Sequence, residues 1–223
     1  MLYESKIDLR LGDCLEIMKT MSDKSVDLVL TDPPYGIGYC GMGRPGEVMY
    51  GKMKNEVDTK LDYVNLIKEL ERIADTVIVF GAQNFYKTLP RNGRWLCWDK
   101  YSQKVERSNA KSSAFELAWI NRDSGYYKIY RVLHGGYMDA DKEIGGRFHP
   151  TQKPVKLMRM IAEDFSKPNN TVMDPFMGSG STGIACKRIG RNFIGIEINP
   201  DYFNEAKRRI DSDIPPIFAS EEL

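Results

Sequence analysis

The stretch Asp174-Pro175-Phe176-Met177-Gly178-Ser179-Gly180-Ser181-Thr182-Gly183 decides the fold. An apolar run, Thr171–Met173, leads into it, and a helical pattern, Ser181–Ile189, leads out. Gly178, Gly180 and Gly183 fit G-x-G-x-x-G, and Glu197 stands nineteen residues beyond Gly178 at the end of the next apolar run. This is the spacing of a nucleotide-ribose site, in which glycines let the backbone approach the ligand and a carboxylate at the next strand end accepts ribose hydroxyls. The same glycines would serve a turn that only caps a helix, and alone they do not separate NAD from another adenosine cofactor. A phosphate-cradling P-loop is excluded because Ile184 and Ala185 stand where Lys and Ser or Thr would be needed. A nucleophile elbow is excluded because neither Ser179 nor Ser181 has the glycine spacing of G-x-S-x-G.

Outward from this stretch, short apolar runs alternate with helix-period segments. The spacing predicts strands at Ile7–Leu11, Val26–Thr31, Thr76–Gly81, Arg94–Trp98, Phe115–Ile120, Thr171–Met173 and Phe193–Glu197. It predicts helices at Cys14–Met21, Asp62–Ala74, Pro154–Phe165, Ser181–Ile189 and Pro200–Ile210. Such alternation reads as an α/β fold, a mostly parallel sheet covered by helices on both faces. Ligands then sit at the carboxyl ends of strands, where Asp13, Asp32, Asp174 and Glu197 fall. The glycine-rich 36–51 segment reads as a mobile loop, and 121–148 as a small insertion for target contact within a single domain.

With 223 residues, 42% of them hydrophobic and 28% charged, the chain can bury a sizeable core. It carries no run of ~18 apolar residues, and its first residues lack the apolar stretch of a signal peptide, so a cytosolic location is expected. Cys14, Cys40, Cys97 and Cys186 are scattered, with only His134 and His149 to help them, so no metal site is expected. The net charge of +1 is uninformative, but Arg91–Arg131 holds nine basic against four acidic residues, a local excess of +5. On one face that excess would attract phosphates; a solvated basic surface is the plain alternative.

Asp32-Pro33-Pro34-Tyr35 ends the strand Val26–Thr31. The prolines supply no N–H donors and leave their carbonyls free to accept. An exocyclic amine offers two N–H groups, one for the Asp32 carboxylate and one for the Pro33 carbonyl. Both acceptors stabilise the nitrogen as it gains positive character on attacking a methyl group. Tyr35 offers a ring on which a base can stack, worth ~1–3 kcal/mol. Asp174, before the glycine loop, would suit the cationic amine of a methionine moiety and repel a pyrophosphate, which favours S-adenosylmethionine over NAD.

These residues together resemble the DNA amino-methyltransferases, which carry a (D/N/S)-P-P-(Y/F) loop and an F-x-G-x-G loop on a Rossmann-like, seven-stranded sheet. The order here, Asp-Pro-Pro-Tyr first and the glycine loop last, is similar to the family's β group. The resemblance extends over nearly the whole chain, through Gly12-Asp13-Cys14-Leu15-Glu16, the Ser25–Tyr35 block, Trp95-Leu96-Cys97-Trp98-Asp99-Lys100, Phe115-Glu116-Leu117 and His149-Pro150-Thr151-Gln152-Lys153-Pro154. It implies that Asp32, Pro33, Pro34 and Tyr35 are catalytic and hold a flipped base. It further implies that Asp174, Pro175, Phe176, Gly178, Ser179, Gly180 and Ser181 line S-adenosyl-L-methionine, with Asp32 also near it. Glu197 with Ile198 and Asn199 would meet the cofactor's ribose, and Asp13 with Cys14 its adenine end. Thr151, Gln152 and Lys153 would approach the methionine carboxylate, Lys153 as a point charge.

Asp at position 32 favours N6 of adenine, since related enzymes for N4 of cytosine tend to carry Ser there. Double-stranded DNA is the expected partner, a homodimer stays open, and the basic residues expected to meet phosphates are Lys100, Lys104, Arg107, Lys111, Arg122, Lys128 and Arg131. Only 28 residues separate Ile120 from His149, so a short or relaxed target of about two to four base pairs is expected. Three other readings compete: an NAD-dependent enzyme, a methyltransferase acting on RNA or a protein amide, and a binding module that has kept only the fold. The first leaves Asp-Pro-Pro-Tyr unexplained, and the last has no use for Asp32 or Glu197.

Overall fold

The chain's alternating apolar and amphipathic segments fold into eight strands and five α-helices among the residues that the computed structural model describes, 5–34, 61–100, 113–122, 128–133 and 152–213. Strands β1 (Ile7–Leu11), β2 (Val26–Thr31) and β3 (Ala74–Phe80) come first, with helices α1 (Cys14–Lys19) and α2 (Tyr63–Ile73) between them. A 3-10 helix, Ala82–Thr88, precedes β4 (Arg94–Asp99), β5 (Phe115–Ile120) and β6 (Ile129–Arg131). The last part is α3 (Val155–Phe165), β7 (Thr171–Asp174), α4 (Ser181–Arg188), β8 (Asn192–Glu197) and α5 (Pro200–Ser212). The strands form one sheet in the order β1-β8-β7-β2-β3-β5-β4-β6. Among them β5 alone runs against the others.

The two faces follow from residue alternation. Leu28 and Leu30 of β2, with Ile78 and Phe80 of β3, join the cluster that α3, α4 and α5 cover through Leu157, Ile184 and Ile210. Val29, Val77 and Val79 point the other way, against Leu66, Ile67 and Leu70 of α2 and Met18 of α1. Central strands covered on both faces need such near-continuous apolar runs. From β7 the chain crosses through α4 to β8 on one side, and from β2 it crosses through α2 to β3 on the other. The strand order therefore reverses between β7 and β2, and the crevice outside their carboxyl ends is where such a sheet binds ligands.

All seven expected strands form, and β6 is an eighth that the sequence reading missed. It pairs parallel with β4, Cys97 opposite Ile129 and Asp99 opposite Arg131, inside the 121–148 stretch assigned to an insertion. Three residues are too few to reveal a period, yet Tyr130 is buried at its centre and its hydroxyl donates to Asp164 at 2.7 Å. The 3-10 helix was also unforeseen; it follows Gly81, whose φ of 67° starts the turn. Tyr35, the 36–51 segment, Lys104, Arg107, Lys111 and Thr151 lie outside the described residues. No described helix is long and apolar enough to cross a membrane.

Candidate active site

The carboxyl ends of β1, β8, β7 and β2 lie side by side, and each delivers a carboxylate: Asp13, Glu197, Asp174 and Asp32. The glycine loop follows β7. Gly178 and Gly180 adopt φ of 50° and 80°, the left-handed region that side chains rarely enter. Gly183 answers to crowding instead: a Cβ there would lie 2.6 Å from Ile210 and 2.7 Å from Phe193. Its absence lets α4 settle against α5 and β8.

Asp174 anchors this loop from below. One of its oxygens accepts from the Thr31 hydroxyl at 2.8 Å and the Phe176 N–H at 3.1 Å, and the other from the Thr182 hydroxyl at 2.7 Å. Burial pushes its pKa up to about 6 against the pull of these donors. Glu197 grips the loop from the side, accepting from the Gly178 N–H at 3.0 Å and the Asn199 N–H at 2.8 Å. Burial raises its pKa as well. Ile198, next to it, is 49% exposed. The buried guanidinium of Arg209 donates to the Ser179 carbonyl, and the Ser181 hydroxyl is buried with no hydrogen-bond partner among the described residues. Asp13 caps α1 by accepting from Leu15 and Glu16 N–H groups. Beside it burial and Asp13 push the Cys14 thiol up to about 12, so Cys14 is an apolar wall.

Asp32 lies across the crevice in a row of alternating charges. The Lys153 ammonium donates to Asp32 Oδ2 and sits 3.2 Å from Glu116 Oε2 and 5.2 Å from the Phe80 ring centroid. Glu116 Oε1 accepts from Lys100 at 2.6 Å. Burial pushes the Asp32 carboxyl above the ordinary range, while Lys153 pulls it down. For Glu116 burial acts in the same upward sense, but Lys153 and Lys100 outweigh it and hold the carboxyl below that range. Burial works against the Lys153 ammonium, yet Asp32 and Glu116 raise its pKa overall. Asp32 Oδ1 is left buried with no hydrogen-bond partner among the described residues. Behind it the Tyr63 hydroxyl donates to the Pro34 carbonyl at 2.6 Å, and the Tyr63 ring stacks on Phe85 with centroids 4.3 Å apart. A buried carboxylate oxygen and a proline carbonyl, in a loop held from both sides, can receive a planar group with two N–H donors.

A family model described as DNA methylase matches residues 85–208, more than half of the chain. YubD of Escherichia coli is 31% identical over 209 residues, covering 89% of this chain and 88% of YubD. The chain belongs to the N6/N4 DNA methylase family. Its fold is that of solved methyltransferases. M1.HpyAVI in complex with SAM superimposes with a TM-score of 0.60 at 23% identity, over 92% of this chain and 99% of that one. The PvuII DNA methyltransferase, named as cytosine-N4-specific, does so with a TM-score of 0.60 at 18% identity, over 94% and 88%. The Rossmann-like, mostly parallel sheet expected from the sequence is thus present, with one strand more.

In this methylase the two motif loops meet as the sequence reading expected, and several side chains do not lie where it put them. Lys153, expected at a cofactor carboxylate, is engaged by Asp32 and Glu116. Asp174 faces three protein donors rather than open space. Lys100, expected at phosphates, is buried against Glu116 with Trp98 5.1 Å below its ammonium. Arg122 donates to Thr76 at 2.6 Å near the amino end of β3, and Lys128 pairs with Asp164 at 2.5 Å near the last turn of α3. Arg122 lies at the end of the sheet away from Asp32, Lys128 precedes β6 opposite the middle of β4, and Lys100 and Arg131 lie on the rim that carries Asp32. Gln152 is buried just before Lys153. The sequence reading passed over Glu116, Phe80, Tyr63, Thr31 and Arg209. Glu116 carried no signal in the sequence, because the direction of β5 that brings it to the rim is not legible there.

Proposed function

We propose that this DNA methylase transfers a methyl group from S-adenosylmethionine to the N6 amine of an adenine turned out of duplex DNA. The observation that carries the reading is Asp32, whose Oδ2 is fixed by Lys153 while Oδ1 is buried with no hydrogen-bond partner among the described residues, beside the β7–β2 crevice. Asp32 Oδ1 and the Pro33 carbonyl each accept one amine N–H, which holds the nitrogen with its lone pair free of the ring and stabilises the positive charge it gains. Turning the base out costs a few kcal/mol.

The cofactor site fits S-adenosylmethionine, which M1.HpyAVI holds. Glu197 keeps lone pairs beyond those given to Gly178 and Asn199, enough to accept ribose hydroxyls. Ile198 offers an exposed apolar face for a purine, and the Ser181 hydroxyl is buried without a partner among the described residues. Asp174 puts negative charge at the start of α4, where a pyrophosphate would need the helix terminus, so NAD is disfavoured. When bound, S-adenosylmethionine supplies an electrophilic methyl group.

A second reading, N4 of cytosine, is kept because both amines offer the same two donors and the PvuII enzyme shares the fold. The carboxylate at 32 is what favours adenine. We assign a short target, since β6 takes residues out of the 121–148 stretch and leaves less chain to read bases. Incubation with labelled S-adenosylmethionine and plain duplex DNA, then digestion to nucleosides, tests the reading. N6-methyladenine is the expected product. N4-methylcytosine would overturn the base assignment, and label on RNA or protein alone would overturn the substrate.

A further inference from the structure

We propose that Glu116 is a positioning residue for methyl transfer, acting on Asp32 through Lys153. The inference rests on the reading above, that Asp32 receives the target amine. Lys153 is enclosed on three sides, by Asp32 Oδ2, by Glu116 Oε2 at 3.2 Å, and by the Phe80 ring with its centroid 5.2 Å away. Glu116 is itself fixed, because its other oxygen takes Lys100 at 2.6 Å and Lys100 rests over Trp98. The ammonium therefore stands between two carboxylates and takes only one oxygen of Asp32. That division leaves Asp32 Oδ1 buried and open to the amine.

Charge balance makes the same demand. Asp32, Lys153, Glu116 and Lys100 alternate, two negative and two positive groups in a largely buried row. Without the Glu116 charge, two ammoniums face one carboxylate close to a nitrogen that becomes positive during transfer. Electrostatic stabilisation at that nitrogen is then weakened where low dielectric makes it count most. Lys153 would also close further on Asp32, its remaining partner, and compete with the amine for Oδ1. Glu116 reaches this position because β5 runs against its neighbours, which brings its first residues to the rim where the other strands end.

The groups facing Asp32 are Lys153 ahead of α3, Glu116 on β5, Lys100 after β4 and Asp174 on β7. Glu116 raises the Asp32 carboxyl and the two lysines lower it, while Asp32 in turn raises Asp174. Removing the Glu116 charge must move the acid limb of the rate profile, where Asp32 becomes protonated, to lower pH.

The test compares Glu116→Gln with wild type on duplex DNA and S-adenosylmethionine. The expected result is a kcat lower by about 10- to 100-fold, KM values for DNA and cofactor within about threefold, and an acid limb shifted to lower pH. Wild-type kcat with an unmoved acid limb would overturn the inference, and so would a loss confined to KM. If the Gln variant does not fold, Glu116→Asp is read by the same measures, since its shorter carboxylate draws back from Lys153. A wild-type kcat and acid limb in that variant overturns the inference equally. Inactive wild type on every DNA would instead remove the underlying function, so the two failures are separable.

Discussion

The Thr31 hydroxyl donates to Asp174 Oδ1 at 2.8 Å, joining the last residue of β2 to the last residue of β7 across 143 positions of sequence. Thr31 directly precedes the Asp32-Pro33-Pro34 loop, which we propose binds the amine, and Asp174 opens the glycine loop. One buried hydrogen bond thus sets the distance between the two halves of the site, where small misplacements of reacting groups cost much rate.

Replacing Thr31 by Val keeps the shape and removes the donor. The expected cost is about 1–2 kcal/mol of stability, because a buried carboxylate oxygen loses a partner. The variant should also lose kcat more than cofactor affinity, since the glycine loop keeps its bonds to Thr182 and Glu197. Urea denaturation and single-turnover rates check this; an unchanged kcat would mean that the bond serves the fold alone.

Asp32→Ala should abolish methyl transfer and leave affinity for S-adenosylhomocysteine within a few-fold of wild type. In the proposed site Asp32 faces the amine, whereas the glycine loop holds the cofactor. Calorimetry together with turnover on duplex DNA reads both, and turnover near wild type would refute the assigned role.

Glu197→Ala should do the reverse, weakening cofactor binding by ~1.5–3 kcal/mol. The lost carboxylate fixes the Gly178 N–H and, in the proposed site, accepts ribose hydroxyls, so the loop loosens as well. Equal affinity in variant and wild type would rule out the ribose contact.

Asp174 ties stability to pH. Its pKa, raised by burial from 3.8 to about 6, means that the folded state binds a proton more tightly than the unfolded one. Its contribution is full below pH 4 and is lost as pH rises through about 6. Asp174→Asn holds a neutral side chain at every pH, so the variant should match wild type near pH 4 and exceed it by about 1–3 kcal/mol at pH 7.5. Urea denaturation at both values decides the matter; an equal difference at the two would assign the shift to lost hydrogen bonds.

The parts of this molecule that were legible in the sequence are those whose signal is local. Leu28-Val29-Leu30 and Ile78-Val79-Phe80 read as buried strands because central strands are apolar on both faces. The two motif loops read as a site because carboxyl ends of parallel strands share one rim. Strand direction is not local, and Glu116 was passed over for that reason: nothing in Phe115–Ile120 announces that β5 runs the other way. Lys100 and Lys153 looked like ligands for phosphate and carboxylate because charge in a sequence carries no trace of its partner. That partner lies 16 residues from Lys100 in the chain and on a different element from Lys153.

Contact with DNA separates basic residues by position rather than by count. Arg131 stands at the carboxyl end of β6, on the rim that carries Asp32, 3.6 Å from Asp99 and with its side chain 52% exposed. An exposed pair of that kind holds the guanidinium weakly, so Arg131 can exchange Asp99 for a phosphate. Arg122 is tied to Thr76 near the amino end of β3 and lies 5.9 Å from the Phe165 ring, and Lys128 is tied to Asp164 near the last turn of α3. We expect a duplex that delivers a base to Asp32 to meet Arg131 before either of them. Arg131→Ala should therefore weaken binding to duplexes of any sequence several-fold and lower the slope of log affinity against log salt by about 1. Arg122→Ala and Lys128→Ala should stay within about twofold of wild type with an unchanged slope. Fluorescence anisotropy on a labelled duplex between about 50 and 200 mM salt makes the comparison. Equal losses in all three variants would mean that the DNA path wraps the sheet edge along β6 instead of crossing the rim above Asp32.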